Sequence, residues 1–148
     1  NFKILLKEFI YGSKRDDQIW IAKKDPSKYF PMVKIGDEVP QPIKYNSSAS
    51  DFVRSLWAYL ISLYEVSSVK NGNHLGLFLF DEPAQHAMTE PSQTALFKKL
   101  SKLNCQSLVF ASFEDVADNQ RDKFYEIVKG FKEDIKIIEI GKRAIVLQ

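Results

Sequence analysis

Leu77-Phe78-Leu79-Phe80-Asp81-Glu82-Pro83 is the stretch on which the fold turns. The apolar run from Leu75 to Phe80 breaks off abruptly at two acids and a proline. An unbroken run of that kind predicts a strand buried on both faces, as in a parallel sheet. Such a strand delivers its last residues to the carboxyl edge of the sheet, where ligands bind in open α/β folds. Asp81 and Glu82 would stand at that edge. Many strands end in acids at a solvent boundary, so the pair alone does not fix the chemistry.

Upstream of the strand, Ala49 to Val66 repeats Phe52, Leu56, Tyr59, Leu60 and Leu63 at helical steps, behind the capping cluster Ser47-Ser48-Ala49-Ser50-Asp51. Tyr59 is expected to face the sheet with Leu56 and Leu63, and Trp57 to sit at the helix flank, both as packing residues. Asn71 to His74 reads as a turn. Downstream, Ser92 to Leu103 reads as a helix, Ser107 to Ala111 as a buried strand and Val116 to Lys129 as a helix. Ile135 to Ile140 and Arg143 to Leu147 read as a strand pair turning at Gly141-Lys142. Alternation of helix and strand predicts an α/β layer with a mainly parallel sheet flanked by helices.

The N-terminal part does not share that alternation. Phe2, Leu5, Leu6, Phe9 and Ile10 predict an amphipathic helix stopping near Gly12, followed by a turn over Ser13 to Asp17. Gln18 to Lys23 and Tyr29 to Ile35 read as short strands joined by a turn at Asp25-Pro26-Ser27, and Gly36 to Pro42 reads as a loop. These strands predict a small antiparallel flap.

The chain has 148 residues, of which 45% are hydrophobic, enough for one domain with a real core. Charged residues make up 27% and nearly cancel to a net charge of +2, so charge gives no argument for nucleic acid. Cys105 is the only cysteine, which excludes a disulfide framework and a cysteine-based zinc site. His74 and His86, both in loop-like sequence, make a poor metal-ligand pattern. No apolar stretch is long enough to span a bilayer and no signal peptide is visible, so a reducing cytoplasmic compartment and no membrane partner are expected. The chain begins at Asn1 rather than Met, with residues that already read as helix, which predicts a piece of a longer polypeptide.

Small hydroxyl-bearing residues at the start of the long helix leave backbone N–H groups free to meet phosphate oxygens, besides forming an ordinary N-cap. Together with the strand ending in Asp81-Glu82-Pro83, this arrangement resembles the SMC, RecN and RecF kind of ABC ATPase over roughly Ser47 to Glu114. There a Leu-Ser-Gly-Gly-Glu-Lys signature opens a long apolar helix that leads to a Walker B strand. The resemblance implies that Asp81 holds magnesium, through water, and that Glu82 polarises the water attacking the γ-phosphate. Ser48 would contact the γ-phosphate bound by an opposite head. Ala49 and Ser50 would stand for the two glycines and Asp51 for the glutamate, a departure that makes phosphate approach less close. Ala84 to Met88 occupies the D-loop place, where Gln85 and His86 could reach across a dimer although the usual aspartate is missing. Phe113 falls on the switch-histidine position and cannot bond a phosphate, leaving Ser112 as a substitute.

No G-x-x-x-x-G-K-[ST] occurs; Gly12-Ser13-Lys14 and Gly141-Lys142-Arg143 lack the upstream glycine. In SMC-like proteins that loop sits in an N-terminal lobe beyond a coiled coil, whose end residues 1–12 could represent. The resemblance therefore implies a P-loop NTPase-like ABC head, with residues 1–148 as its C-terminal lobe. ATP and Mg2+ would be its cofactors, and an N-terminal lobe and a second head in an ATP-sandwich dimer its partners. DNA maintenance, repair or defence is the implied setting, with DNA a possible partner. Two other readings stand beside it: a non-catalytic interaction or dimerisation domain that keeps the fold, and an unrelated α/β domain with a chance Asp-Glu pair.

Overall fold

Ser48 opens the longest helix by accepting the Asp51 N–H on its Oγ at 3.2 Å, satisfying one of the donors that a helix start leaves unpaired. In the computed structural model, which describes residues 1–14, 18–21, 29–84, 88–113 and 118–138, this helix follows a short helix and three short strands. In chain order the elements are α1 (Phe2–Glu8), β1 (Ile19–Ile21), β2 (Pro31–Val33), β3 (Gln41–Pro42), a 3-10 turn (Ile43–Asn46), α2 (Ala49–Val69), β4 (Leu77–Asp81), α3 (Glu90–Leu100), β5 (Gln106–Phe110) and α4 (Asp118–Lys129).

The face that α2 buries is not the one its Leu and Tyr spacing suggests. Trp57, Ala58 and Ile61 lie in the core, and Asp51, Arg54, Ser55 and Ser62 are buried on the same side. Leu60 and Leu63 are 42% and 45% exposed. Of the expected stripe, Leu60 and Leu63 face away from the main core, whereas Phe52 and Tyr59 pack against its margin. Small side chains decide the matter: Ser55, Ala58 and Ser62 let α1 approach, and Phe2, Leu5, Leu6 and Phe9 fill the space above them. The two buried hydroxyls are satisfied within the helix, Ser55 Oγ donating to Phe52 O and Ser62 Oγ to Ala58 O, each at 2.6 Å. Tyr59 packs its ring edge-on to Phe2 and Phe30 and donates its hydroxyl to Tyr29 O, so it serves the flap and α1 rather than the β4 side. Helix α1 stops at Glu8, before Gly12, and the left-handed residue after it is Ile10 with φ 62°.

Strands β1, β2 and β3 form an antiparallel sheet with Trp20 opposite Met32 and Met32 opposite Pro42. The flap is thus present, and it recruits Gln41–Pro42, read from sequence as loop. Proline is tolerated there because β3 is an edge strand. The turn at Asp25 to Ser27 lies outside the described residues.

Strands β4 and β5 pair in parallel, from Leu77 opposite Gln106 to Asp81 opposite Phe110. Among the described residues only one face is covered: Phe78 and Phe80 are each 5% exposed, whereas Leu79 is 62% and Phe110 49% exposed. The expected burial on both faces is therefore corrected, while the mixed α/β architecture with a parallel sheet and a separate antiparallel flap is present. Among the described residues the parallel part is a two-stranded pair and the antiparallel flap is larger. Residues 135–138, the described part of the expected strand from Ile135 to Ile140, form no strand, and Ile138 is 72% exposed. The rest of the expected terminal strand pair lies outside the described residues.

Helix α3 begins at Glu90 with Pro91 in its first turn, where a missing N–H costs nothing. Its Leu96 and Leu100 join the main core, while Phe97 meets Phe124 and Val128 of α4 in a small second core. No helix among the described residues is long and apolar enough to cross a membrane.

Candidate functional site

The carboxyl end of β4 places Asp81 on an exposed strand terminus, paired across the ladder with Phe110. Glu82 follows with its N–H donating to Phe110 O at 2.9 Å and with φ 46°, in the left-handed region. A non-glycine residue held there costs about 1–2 kcal/mol. Such strain is found chiefly where function requires a particular backbone course. A turn at 83–84 follows, with Pro83 buried. A cavity of about 500 Å³ opens beside Glu82, lined among others by Thr89, Gln93, Ser112, Phe113 and Lys123.

Ser112 is thus brought to the same cavity as Glu82, one residue from the Phe113 that occupies the expected histidine place. Phe113 is a packing residue, its ring 5.4 Å from that of Phe124 and 5.7 Å from that of Tyr125. Gln93 Nε2 donates to Met88 O at 3.0 Å, and its buried Oε1 has no hydrogen-bond partner among the described residues. Gln85 and His86 lie outside the described residues.

The second group of expected residues sits at the start of α2. Ser48 and Ala49 are exposed and Ser50 is half-buried, so this turn offers small side chains and first-turn N–H groups to the surface. Ser48 N–H donates to Ser13 Oγ at 3.0 Å, and the Ser48 and Ser50 hydroxyls lie 3.3 Å apart. Tyr11 and Ser47 share a hydrogen bond of 2.8 Å.

Asp51, expected to stand among the ligand-contacting residues, turns inward instead and is 5% exposed. Its Oδ2 accepts from Ser13 Oγ at 2.6 Å and from Gly12 N–H at 3.2 Å, and its Oδ1 accepts from Arg54 at 2.6 Å. Burial works against ionisation of Asp51. The hydrogen bonds from Ser13, Arg54 and Gly12, with the Arg54 charge, outweigh it and hold the carboxyl below its usual range. Tyr11 is shifted the other way, burial raising its phenol above the ordinary value against the Ser47 hydrogen bond.

Arg54 is the member that sequence reading missed. Its Nε donates to Ser92 Oγ at 3.0 Å, which ties the start of α2 to the start of α3. The signal lay in the spacing: Asp51, Arg54, Ser55, Ala58 and Ser62 mark one helix stripe, which a search for large apolar residues passes over. This tie links the Ser48 turn to the start of α3, where Thr89 and Glu90 line the same cavity as Glu82.

Among the described residues no group of three or more His, Cys, Asp or Glu side chains comes together. A magnesium ion at this edge would accordingly take Asp81 as a single protein carboxylate and draw its other ligands from phosphate and water, which suits that ion. The chain matches no family model, and no curated protein matches it.

Proposed function

We propose that this chain is the C-terminal lobe of an SMC-like, ABC-type ATPase head. The observation that carries the reading is the two-stranded parallel pair that ends in Asp81 and a backbone-strained Glu82 while its outer face stays bare. Parallel sheets are covered on both faces in nearly all proteins that contain them. A sheet with catalytic-type acids at its carboxyl edge and Leu77, Leu79, Leu108 and Phe110 uncovered fits a half that is completed by another lobe.

In that assembly ATP and Mg2+ are the cofactors. Asp81 serves as the magnesium carboxylate and Glu82 orients and polarises the attacking water, a positioning role that phosphoryl transfer depends on. Ser48, with Ala49 and Ser50, faces the γ-phosphate held by a second head, and Gln85 and Ser112 are auxiliary contacts. Asp51 shapes this turn from within rather than touching the nucleotide. The partners are an N-terminal lobe with the phosphate loop and a second head, and the setting is DNA maintenance, repair or defence. The replacement of two signature glycines by Ala49 and Ser50 favours a second reading, an interaction domain that keeps the fold without catalysis.

The two readings separate on turnover. The purified chain alone should show no ATP hydrolysis; joined to a phosphate-loop lobe it should hydrolyse ATP, and Glu82→Gln should slow that hydrolysis by at least about tenfold. Turnover at the parent rate in the Glu82→Gln protein, or no turnover in the joined head, sinks the ATPase reading.

A further inference from the structure

We propose that Arg54 is a positioning residue through which the Ser48–Asp51 turn and the start of α3 hold one another in place. Its consequence in an assembled head rests on the function proposed above; the coupling itself belongs to this chain.

The contacts form an unbroken path. Ser48 N–H donates to Ser13 Oγ, and Ser13 Oγ donates to Asp51 Oδ2. Asp51 Oδ1 accepts from Arg54, whose Nε reaches Ser92 Oγ. Ser92 is fully buried at 0% exposure, and its hydroxyl donates to Phe9 O at 3.0 Å and lies 3.0 Å from Thr89 Oγ1. The path thus runs from the exposed turn at Ser48 to Thr89, beside the cavity that Glu82 lines.

Two properties of arginine make this more than an ion pair. A buried guanidinium with a carboxylate partner resists separation, because either charge left alone inside the protein is unfavourable. The planar fork also fixes the direction of its donors, so one edge turned toward Asp51 sets where Nε points. Displacing the Ser48 turn, as a docking second head would, must therefore move Arg54 relative to Ser92 or carry Ser92 with it. A lysine could neutralise Asp51 but would offer a single charged point in place of the fork.

Two variants that leave a charge beside Asp51 test the proposal. In the chain itself, Ser92→Ala and Arg54→Lys should speed amide exchange at Ser48, Asp51 and Phe52, whose N–H groups are hydrogen-bonded in this turn, by about fivefold or more, the low end of measured couplings between sites. Exchange in β1 and β2 should stay unchanged. If Ser92→Ala quickens exchange only in the first turn of α3, the coupling is overturned. In the assembled head, Ser92→Ala should raise the ATP concentration for half-dimerisation several-fold while the ATP affinity of the single head stays as in the parent. An unshifted midpoint in a parent head that does dimerise overturns the role in docking. A parent head that never dimerises removes the ATPase reading, and the exchange result then decides the coupling by itself.

Discussion

Trp57 stands edge-on to Phe9, with ring centroids 5.8 Å apart and planes at 87°. This contact seats α1 on the inner face of α2 and turns the Leu60 and Leu63 stripe outward. Trp57 is 4% exposed and Leu63 45%. Trp57→Ala should therefore cost about 3–5 kcal/mol of stability, as large core truncations do. Leu63→Ala in the isolated chain should stay within about 0.5 kcal/mol, the range of ordinary surface changes. Chemical denaturation of both variants measures the difference. A larger loss for Leu63→Ala would mean that α2 packs by its other face.

The sequence made the element order legible, because capping at Ser48, the apolar run before Asp81 and the helical repeats are local signals. It misread the α2 face for a physical reason. The helix carries apolar residues around most of its circumference, and periodicity alone cannot say which side meets α1 and which stays open. Small residues such as Ala58 and Ser62 choose the side by permitting close approach, and hydropathy gives them little weight. The bare outer face of β4 was equally hidden, since a run such as Leu77 to Phe80 reads alike whether or not a second layer covers it. Asp81 and Glu82 were found at the expected edge. The inward turn of Asp51 and the reach of Arg54 to Ser92 depend on contacts across 38 residues of sequence, beyond the range of motif spacing.

Asp51 should give the chain a specific acid sensitivity. Its carboxyl is held below the usual range, so its ionised form contributes stability above the unfolded pKa of about 3.9. That contribution is lost as the pH falls through the lower folded value. Asp51→Asn should be less stable than the parent at pH 7, where Arg54 loses a charged partner, and the gap should narrow as the pH drops below about 4. Denaturation midpoints from pH 7 to pH 2 measure the gap. A gap that stays constant across that range would show that the carboxylate does not carry the interaction.

Cys105 should be a slow thiol. Burial is the main cause that raises its pKa above the ordinary value. Alkylation with iodoacetamide should be sluggish at pH 7 and should reach its half-maximal rate above the usual thiol value of about 8.5. A midpoint at or below that value would contradict the partial burial of Cys105 against the main core.

Glu82→Gln removes a carboxylate but leaves Asp81 for magnesium, so a complete head carrying it should bind ATP and hydrolyse it slowly. Ser48→Arg should leave each head able to bind ATP while placing bulk and charge on the exposed turn where two heads meet. Size-exclusion chromatography of both heads with ATP is the most direct measurement of the account. It predicts a long-lived dimer for Glu82→Gln and a monomer for Ser48→Arg; a monomeric Glu82→Gln head, or a Ser48→Arg head that still dimerises, would contradict it.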